Sequence, residues 1–165
     1  MTAESASTRD LLTEFYQEKM FLMLHHQKHA TQIRQYDANN TYQYIINRDD
    51  VQLGWLASAI ADLGGAVPEF PTTFADVVAS GKDAARTLFR TDIAEAEDFI
   101  NRWRPRVEAM TNARHRGMLR VVLGETREQQ RFFEQALAGR TDLLGRRAGV
   151  DGEAFGEVLS TRWVE

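Results

Sequence analysis

Residues 41–65 read TYQYIINRDDVQLGWLASAIADLGG. At helical spacing Tyr42, Ile45, Asp49, Gln52, Leu56, Ala59 and Leu63 fall on one line, each three or four residues from the next. A line of this kind is the seam by which a helix packs in a bundle. The stretch closes on Gly64-Gly65, a strong helix stop. Two polar residues, Asp49 and Gln52, stand in the middle of the apolar seam. A buried polar group costs about 1–3 kcal/mol unless it is hydrogen-bonded, so the pair needs a partner inside the fold.

Working outward, three further helices are expected. The first runs from Ser7 to about Tyr36, with a turn over Asp37, Asn39 and Asn40 and the quoted helix starting near Thr41. The third spans about Lys82 to Met110, with Pro105 expected to kink it or end it early. The fourth begins near Thr111 or Asn112 and ends by Gly139. Its seam, Leu119, Val122, Thr126, Gln129, Phe133 and Ala136, repeats the polar centre at Thr126 and Gln129. The first helix reads Leu11, Phe15, Glu18, Leu22, His25, His29, and the third Phe89, Asp92, Ala96, Phe99, Trp103. Two matched polar pairs on separate helices predict either a buried hydrogen-bond network that fixes helix register or the remains of a metal site.

Short turns join the first two helices and the last two, which makes each pair antiparallel. The middle link, Gly64 to Gly81, is long and holds two of the three prolines, Pro68 and Pro71. A 25-residue helix is about 38 Å long, and an 18-residue link can extend to roughly 60 Å. The link can therefore run the length of the bundle, with a short helical turn expected over Phe74 to Val78. The expected fold class is all-α, a single domain over 1–165. It comprises a four-helix bundle over about 7–138, one long crossover between the second and third helices, and a C-terminal arm over about 140–165. In the arm, Phe155, Val158, Leu159, Trp163 and Val164 have the spacing of a short amphipathic helix or an arm that docks on the bundle or a neighbouring subunit.

Composition narrows the function classes. The net charge of −4 argues against a dedicated nucleic-acid surface, which carries a basic face. The chain has no cysteine, which removes disulfides, thiolate metal sites and thiol nucleophiles, and suits a cytoplasmic location. The first ten residues are polar, without the apolar core of a signal peptide, and no apolar run approaches the roughly 20 residues of a membrane span. Arg102-Trp103-Arg104-Pro105-Arg106 mixes cations with an aromatic ring. Trp103 lies on the core seam, so the segment reads as packing flanked by arginines that pair with nearby acids.

The segment Asp49-Asp50-Val51-Gln52, followed by Leu63-Gly64-Gly65 and a proline-containing loop, resembles the second helix of the bacterioferritin- and rubrerythrin-like members of the ferritin-like superfamily. In that family an E-x-x-H pair on this helix holds metal. On the family register Asp49 matches the bridging glutamate and Gln52 the histidine. Leu88 to Ala94 resembles the stretch that leads into the family's lone glutamate, whose position is Ala96 here, flanked by Glu95 and Glu97. Gln129 to Glu134 matches the segment that starts at the second histidine, which places Thr126 at the second bridging glutamate. Glu18 is the best match to the terminal glutamate, with Glu14 one turn earlier. The resemblance implies a di-metal site held by four carboxylates and two histidines. This chain keeps at most Glu18 and Asp49 of that set, and glutamine is a weak neutral ligand.

The expectation is therefore a ferritin-like protein with a degenerate, empty di-metal position at Glu18, Asp49, Gln52, Thr126 and Gln129. It would have no cofactor and would act by binding a small ligand or protein partner. The alternative is an iron- or manganese-dependent oxidoreductase with a remodelled site on Glu18, His25, Asp49 and Glu125. His25 and His29, four residues apart on one helix face, form an alternative mononuclear metal pair. By the resemblance a homodimer is expected, and neither nucleic acid nor membrane is an expected partner.

Overall fold

A computed structural model describes residues 3–71, 79, 81 and 83–145. Four α-helices carry the described chain: α1 (Ala3–Gln32), α2 (Tyr36–Asp62), α3 (Ala84–Glu108) and α4 (Ala113–Leu137). No strand occurs among the described residues. The all-α reading and the four-helix count agree with the sequence. The expected turn over Phe74–Val78 and the amphipathic spacing of Phe155–Val164 lie outside the described residues.

Local chemistry sets the ends. α2 stops at a glycine pair because Gly64 takes φ +72°, open to a residue without Cβ. Gly64 N then bonds Ala61 O at 2.8 Å and Gly65 N bonds Ile60 O at 2.9 Å. Both bonds satisfy carbonyls that the end of a helix leaves unpaired. α4 opens on Asn112, whose side chain accepts the His115 backbone N–H at 3.0 Å.

One expectation about helix ends is corrected. The turn between α1 and α2 sits at residues 33–35, so Asp37, Asn39 and Asn40 belong to the first turns of α2. Asn39 is the reason: its amide donates to Ala30 O at 2.8 Å and Ile33 O at 3.2 Å, closing the end of α1 from within α2. Pro105 lies inside α3, which continues to Glu108. The proline removes one N–H near the last turn, where the carbonyl it leaves belongs to exposed Asn101 and can be hydrated.

The cross-helix contacts give the directions. Along α1 and α3, Glu14 meets Arg106, Glu18 meets Trp103, His25 meets Glu95 and His29 meets Asp92, so these two helices are antiparallel. Along α2 and α4, Tyr44 meets Phe132 and Arg48 meets Glu125, again antiparallel. After α2, Gly65 lies against Arg9 near the start of α1. Ahead of α3, Ala79 N donates to Gln32 Oε1 at 3.1 Å, at the other end of α1.

The core has two apolar clusters. One gathers Leu12, Phe15, Met23, Leu56, Phe99, Trp103 and Leu119, with the Phe15 ring edge-on to Trp103 at 4.8 Å. The other gathers Ile33, Tyr42, Ile45, Leu88, Phe89 and Phe133, with Tyr42 and Phe133 rings 5.1 Å apart. Trp103 is fully buried as packing, and its flanking arginines pair with Glu14 and Glu18. Between the clusters on every helix sits a polar layer: His26 on α1, Asp49 on α2, Asp92 on α3, and Thr126 with Gln129 on α4.

Candidate functional site

The polar layer has a lysine at its centre. Lys19 and Asp49 are both fully buried, with Lys19 Nζ 2.7 Å from Asp49 Oδ1. Gln129 Nε2 donates to the same Asp49 oxygen at 2.7 Å, and His26 Nδ1 donates to Asp49 Oδ2 at 3.1 Å. Both oxygens of Asp49 are thus taken by protein donors. Lys19 Nζ also reaches Thr126 Oγ1 at 3.4 Å, while the threonine hydroxyl donates to Val122 O at 2.9 Å. A second buried carboxylate, Asp92, accepts from His29 Nδ1 at 2.8 Å and from the Tyr42 hydroxyl in a short hydrogen bond.

The electrostatics follow from burial and pairing. Burial alone would raise the Asp49 carboxyl. The adjacent Lys19 ammonium and the His26 hydrogen bond outweigh it and hold the group down to about 2. Burial, then the charge and hydrogen bond of Asp92, push the Tyr42 phenol well above its ordinary value, so it stays a donor. Buried charges persist only when paired and hydrogen-bonded; Asp49 meets that condition through Lys19, and Asp92 is hydrogen-bonded by His29 and Tyr42.

Of the residues singled out by the sequence, Asp49 and Thr126 meet Lys19, and Gln129 bonds the Asp49 oxygen that Lys19 also holds. Gln52 is buried too, but its amide donates to Glu125 Oε2 at 2.5 Å, toward the α2–α4 seam where Arg48 also holds Glu125 at 2.6 Å. Gln52 Oε1 and Gln129 Oε1 are buried without a hydrogen-bond partner. Glu18 does not join the layer. It lies at the α1–α3 edge, where it accepts from Trp103 Nε1 at 2.8 Å and pairs with Arg102 at 3.0 Å. His25 and His29 have rings 6.1 Å apart, yet each is turned to its own acid on α3, His25 to Glu95 at 2.8 Å and His29 to Asp92. Ala96 is buried, Glu95 sits on the α1–α3 edge and Glu97 is exposed.

Sequence reasoning missed Lys19, His26 and the anchoring roles of Asp92 and Tyr42. The expected α1 seam holds at Phe15, Leu22 and His29, which are buried, and fails at Leu11, Glu18 and His25, whose places in the core are taken by Leu12, Lys19 and His26. Apolar residues surround α1 at Leu11, Leu12, Phe15, Phe21, Leu22 and Leu24, so no single stripe fixes its register. Lysine is also the residue least expected in a core. The available signal was the acid on α2: a carboxylate on a buried seam needs a cation, and Lys19 is the only lysine or arginine within α1 between Arg9 and Lys28.

Chemically, the layer lies between two apolar clusters, with both Asp49 oxygens paired and one acceptor, Gln129 Oε1, left without a hydrogen-bond partner. Among the described residues no group of three or more histidine, aspartate or glutamate side chains is arranged to hold a metal ion. An open cleft of about 290 Å³ lies beside the layer, between α1 and α3, lined by Glu18, Phe21, His25, Glu95, Asp98 and Arg102 among others. No described helix is long and apolar enough to cross a membrane. The class defined by these features is an all-helical four-helix fold with a buried ionic layer. Compared with family models, curated proteins and solved structures, the chain has no match.

Proposed function

We propose that this chain is a ferritin-like bundle in which a lysine has taken over the charge role of the metal, and that it acts by binding rather than by catalysis. The observation that carries the reading is the fully buried Lys19–Asp49 pair at 2.7 Å. Asp49 is the position that the family resemblance assigns to a bridging carboxylate. Its negative charge is answered by an ammonium of the same chain, and its second oxygen by His26. The crossover topology supports the same reading: α2 and α3 point the same way, and the link between them starts beside Arg9 and reaches Gln32 at the opposite end of α1.

The donor set does not suit a pair of divalent ions. A metal needs ligands with free lone pairs and deprotonated donors. Here Asp49 is saturated by Lys19, Gln129 and His26, and Asp92 is held by His29 and Tyr42. Ala96 offers no oxygen, and Glu18 is committed to Trp103 and Arg102 on another face. The ligand or partner is instead met at the surface, and the α1–α3 cleft lined by Glu18, His25 and Glu95 is a concave place for it. Its walls combine Phe21 and Phe99 with charges of both signs, which suits a small amphipathic molecule.

The test is elemental analysis of the full chain produced under iron and manganese supplementation, alongside the Asp49→Asn and Lys19→Met variants. The expected result is no stoichiometric metal in the native chain. Stoichiometric iron or manganese that disappears in Asp49→Asn would overturn the proposal and restore the redox alternative.

A further inference from the structure

The net charge of −4 is unevenly spread over the bundle. Neither α3 nor α4 contains a lysine, and each carries five arginines. Several acids on these helices are spent on the other two: Asp92 and Glu95 hold His29 and His25 of α1, and Glu125 holds Arg48 of α2. Arg102 and Arg106 answer Glu18 and Glu14 of α1. The remaining arginines gather on the outer α3–α4 side.

Cross-helix contacts and the helical repeat define that side. Arg86 donates to Leu137 O at 3.1 Å, and Arg120 pairs with Glu108. The Glu108 carboxyl is lowered first by its Arg120 hydrogen bond, and the charges of Arg116 and Arg104 add to that, so three arginines surround one glutamate. On α3, Arg90 and Arg104 fall on the line of Arg86; on α4, Arg116, Arg127 and Arg131 fall on the line of Arg120. The acids on these two lines are Glu97, Glu108 and Glu134, so arginines outnumber them seven to three. Arg90, Arg127 and Arg131 are exposed and have no hydrogen bond or ion pair among the described residues.

We infer that this arginine face docks the phosphate backbone of duplex nucleic acid, without regard to base sequence. Charge complementarity selects a polyanion. The cation type selects phosphate: the guanidinium fork takes oxyanions in bidentate fashion, and every cation on the face is an arginine. The length suits a duplex. Arg86 to Arg104 spans roughly 27 Å along α3, which matches about eight base pairs at about 3.4 Å each. The face also lacks what other partners need. The exposed large apolar side chains of the described residues lie on α1, on α2 and in the stretch after it, and at Val121, one turn from the α2-facing Glu125. A protein interface needs an apolar or aromatic centre, and an unpaired strand needs aromatic rings on which bases stack. The surface is on the far side of α3 from the α1–α3 cleft, so it is independent of the ligand reading above.

The test is fluorescence anisotropy of the full chain with a labelled, mixed-sequence duplex DNA of about 20 base pairs. Binding is expected at about 50 mM salt and should weaken by at least about tenfold at about 200 mM. Arg90→Gln/Arg127→Gln/Arg131→Gln should weaken it by about tenfold at the lower salt and flatten the log–log salt slope by about 2 to 3. Arg34→Gln, in the α1–α2 turn, should leave binding unchanged. Far-ultraviolet circular dichroism checks that the triple variant keeps its helices, as expected for exposed side chains without partners. No binding at about 50 mM salt, or equal losses in the triple variant and Arg34→Gln, overturns the proposal. Binding to anionic phosphatidylserine vesicles without binding to the duplex overturns it in favour of a membrane surface. Low-salt self-association that the triple variant abolishes, again without duplex binding, overturns it in favour of a second copy of the chain.

Discussion

Lys19 shows how one side chain can decide the character of a core. Its ammonium sits 2.7 Å from Asp49 with both groups shielded from water. Removing one partner of a buried pair strands the other, which typically costs about 3–5 kcal/mol. Lys19→Met is therefore expected to lower unfolding free energy by about that amount in urea titration. Adding Asp49→Leu to Lys19→Met should recover at least half of the loss, since two apolar residues leave no stranded charge. A double variant no more stable than Lys19→Met would show that His26 and Gln129, not the ion pair, carry the cost. The unpartnered Gln52 Oε1 and Gln129 Oε1 flank the same layer. Gln129→Met is expected to cost less than Lys19→Met, because it removes an orphaned acceptor together with one donor to Asp49.

At the scale of the helix, equal substitutions have opposite effects according to backbone and surroundings. Gly64 stands at φ +72°, where a Cβ is strained whatever the space around it. Gly64→Ala should destabilise by about 1–2 kcal/mol. Gly54 lies inside α2 on its outer side, with open space where a Cβ would go. Gly54→Ala should stabilise by about 0.5–1 kcal/mol. Thermal unfolding of the two variants checks both signs. Helix existence and most helix ends were legible because glycine stops, an asparagine cap and proline-free runs act locally. The α1–α2 turn was misplaced because Asn39, a turn former by composition, works from inside α2 on the carbonyls of α1.

For the whole molecule, the ionic layer links stability to acidity. The Asp49 carboxyl is held at about 2 in the folded chain, below its ordinary value of 3.8. A depressed carboxyl favours the folded state above the unfolded value, and that contribution is lost as pH falls through the folded value. Unfolding free energy should therefore drop between about pH 4 and pH 2, by on the order of 2 kcal/mol from this group. In Asp49→Asn the fall across that window should be shallower, as read by urea titration at each pH. An equal slope in both proteins would place the acid sensitivity elsewhere, for example in the Glu14–Arg106 pair, whose carboxyl is lowered chiefly by its arginine hydrogen bonds.

The division between sequence and structure follows from what each can count. Local spacing determined the helices, their stops and the polar centres on α2 and α4, because those signals lie within one turn of one helix. It placed Asp49, Gln52, Thr126 and Gln129 inside, and all four are buried. It misjudged which face of α1 looks inward, placing Glu18 and His25 there instead of Lys19 and His26, because apolar residues surround that helix and a one-residue slip turns it by about 100°. Only packing against α2, α3 and α4 chose the face, sending Lys19 and His26 to Asp49 and leaving Glu18 and His25 on the rim. Charge made that choice: a carboxylate buried on α2 is stable in an apolar core only with a cation beside it, and the tertiary structure supplied it from α1.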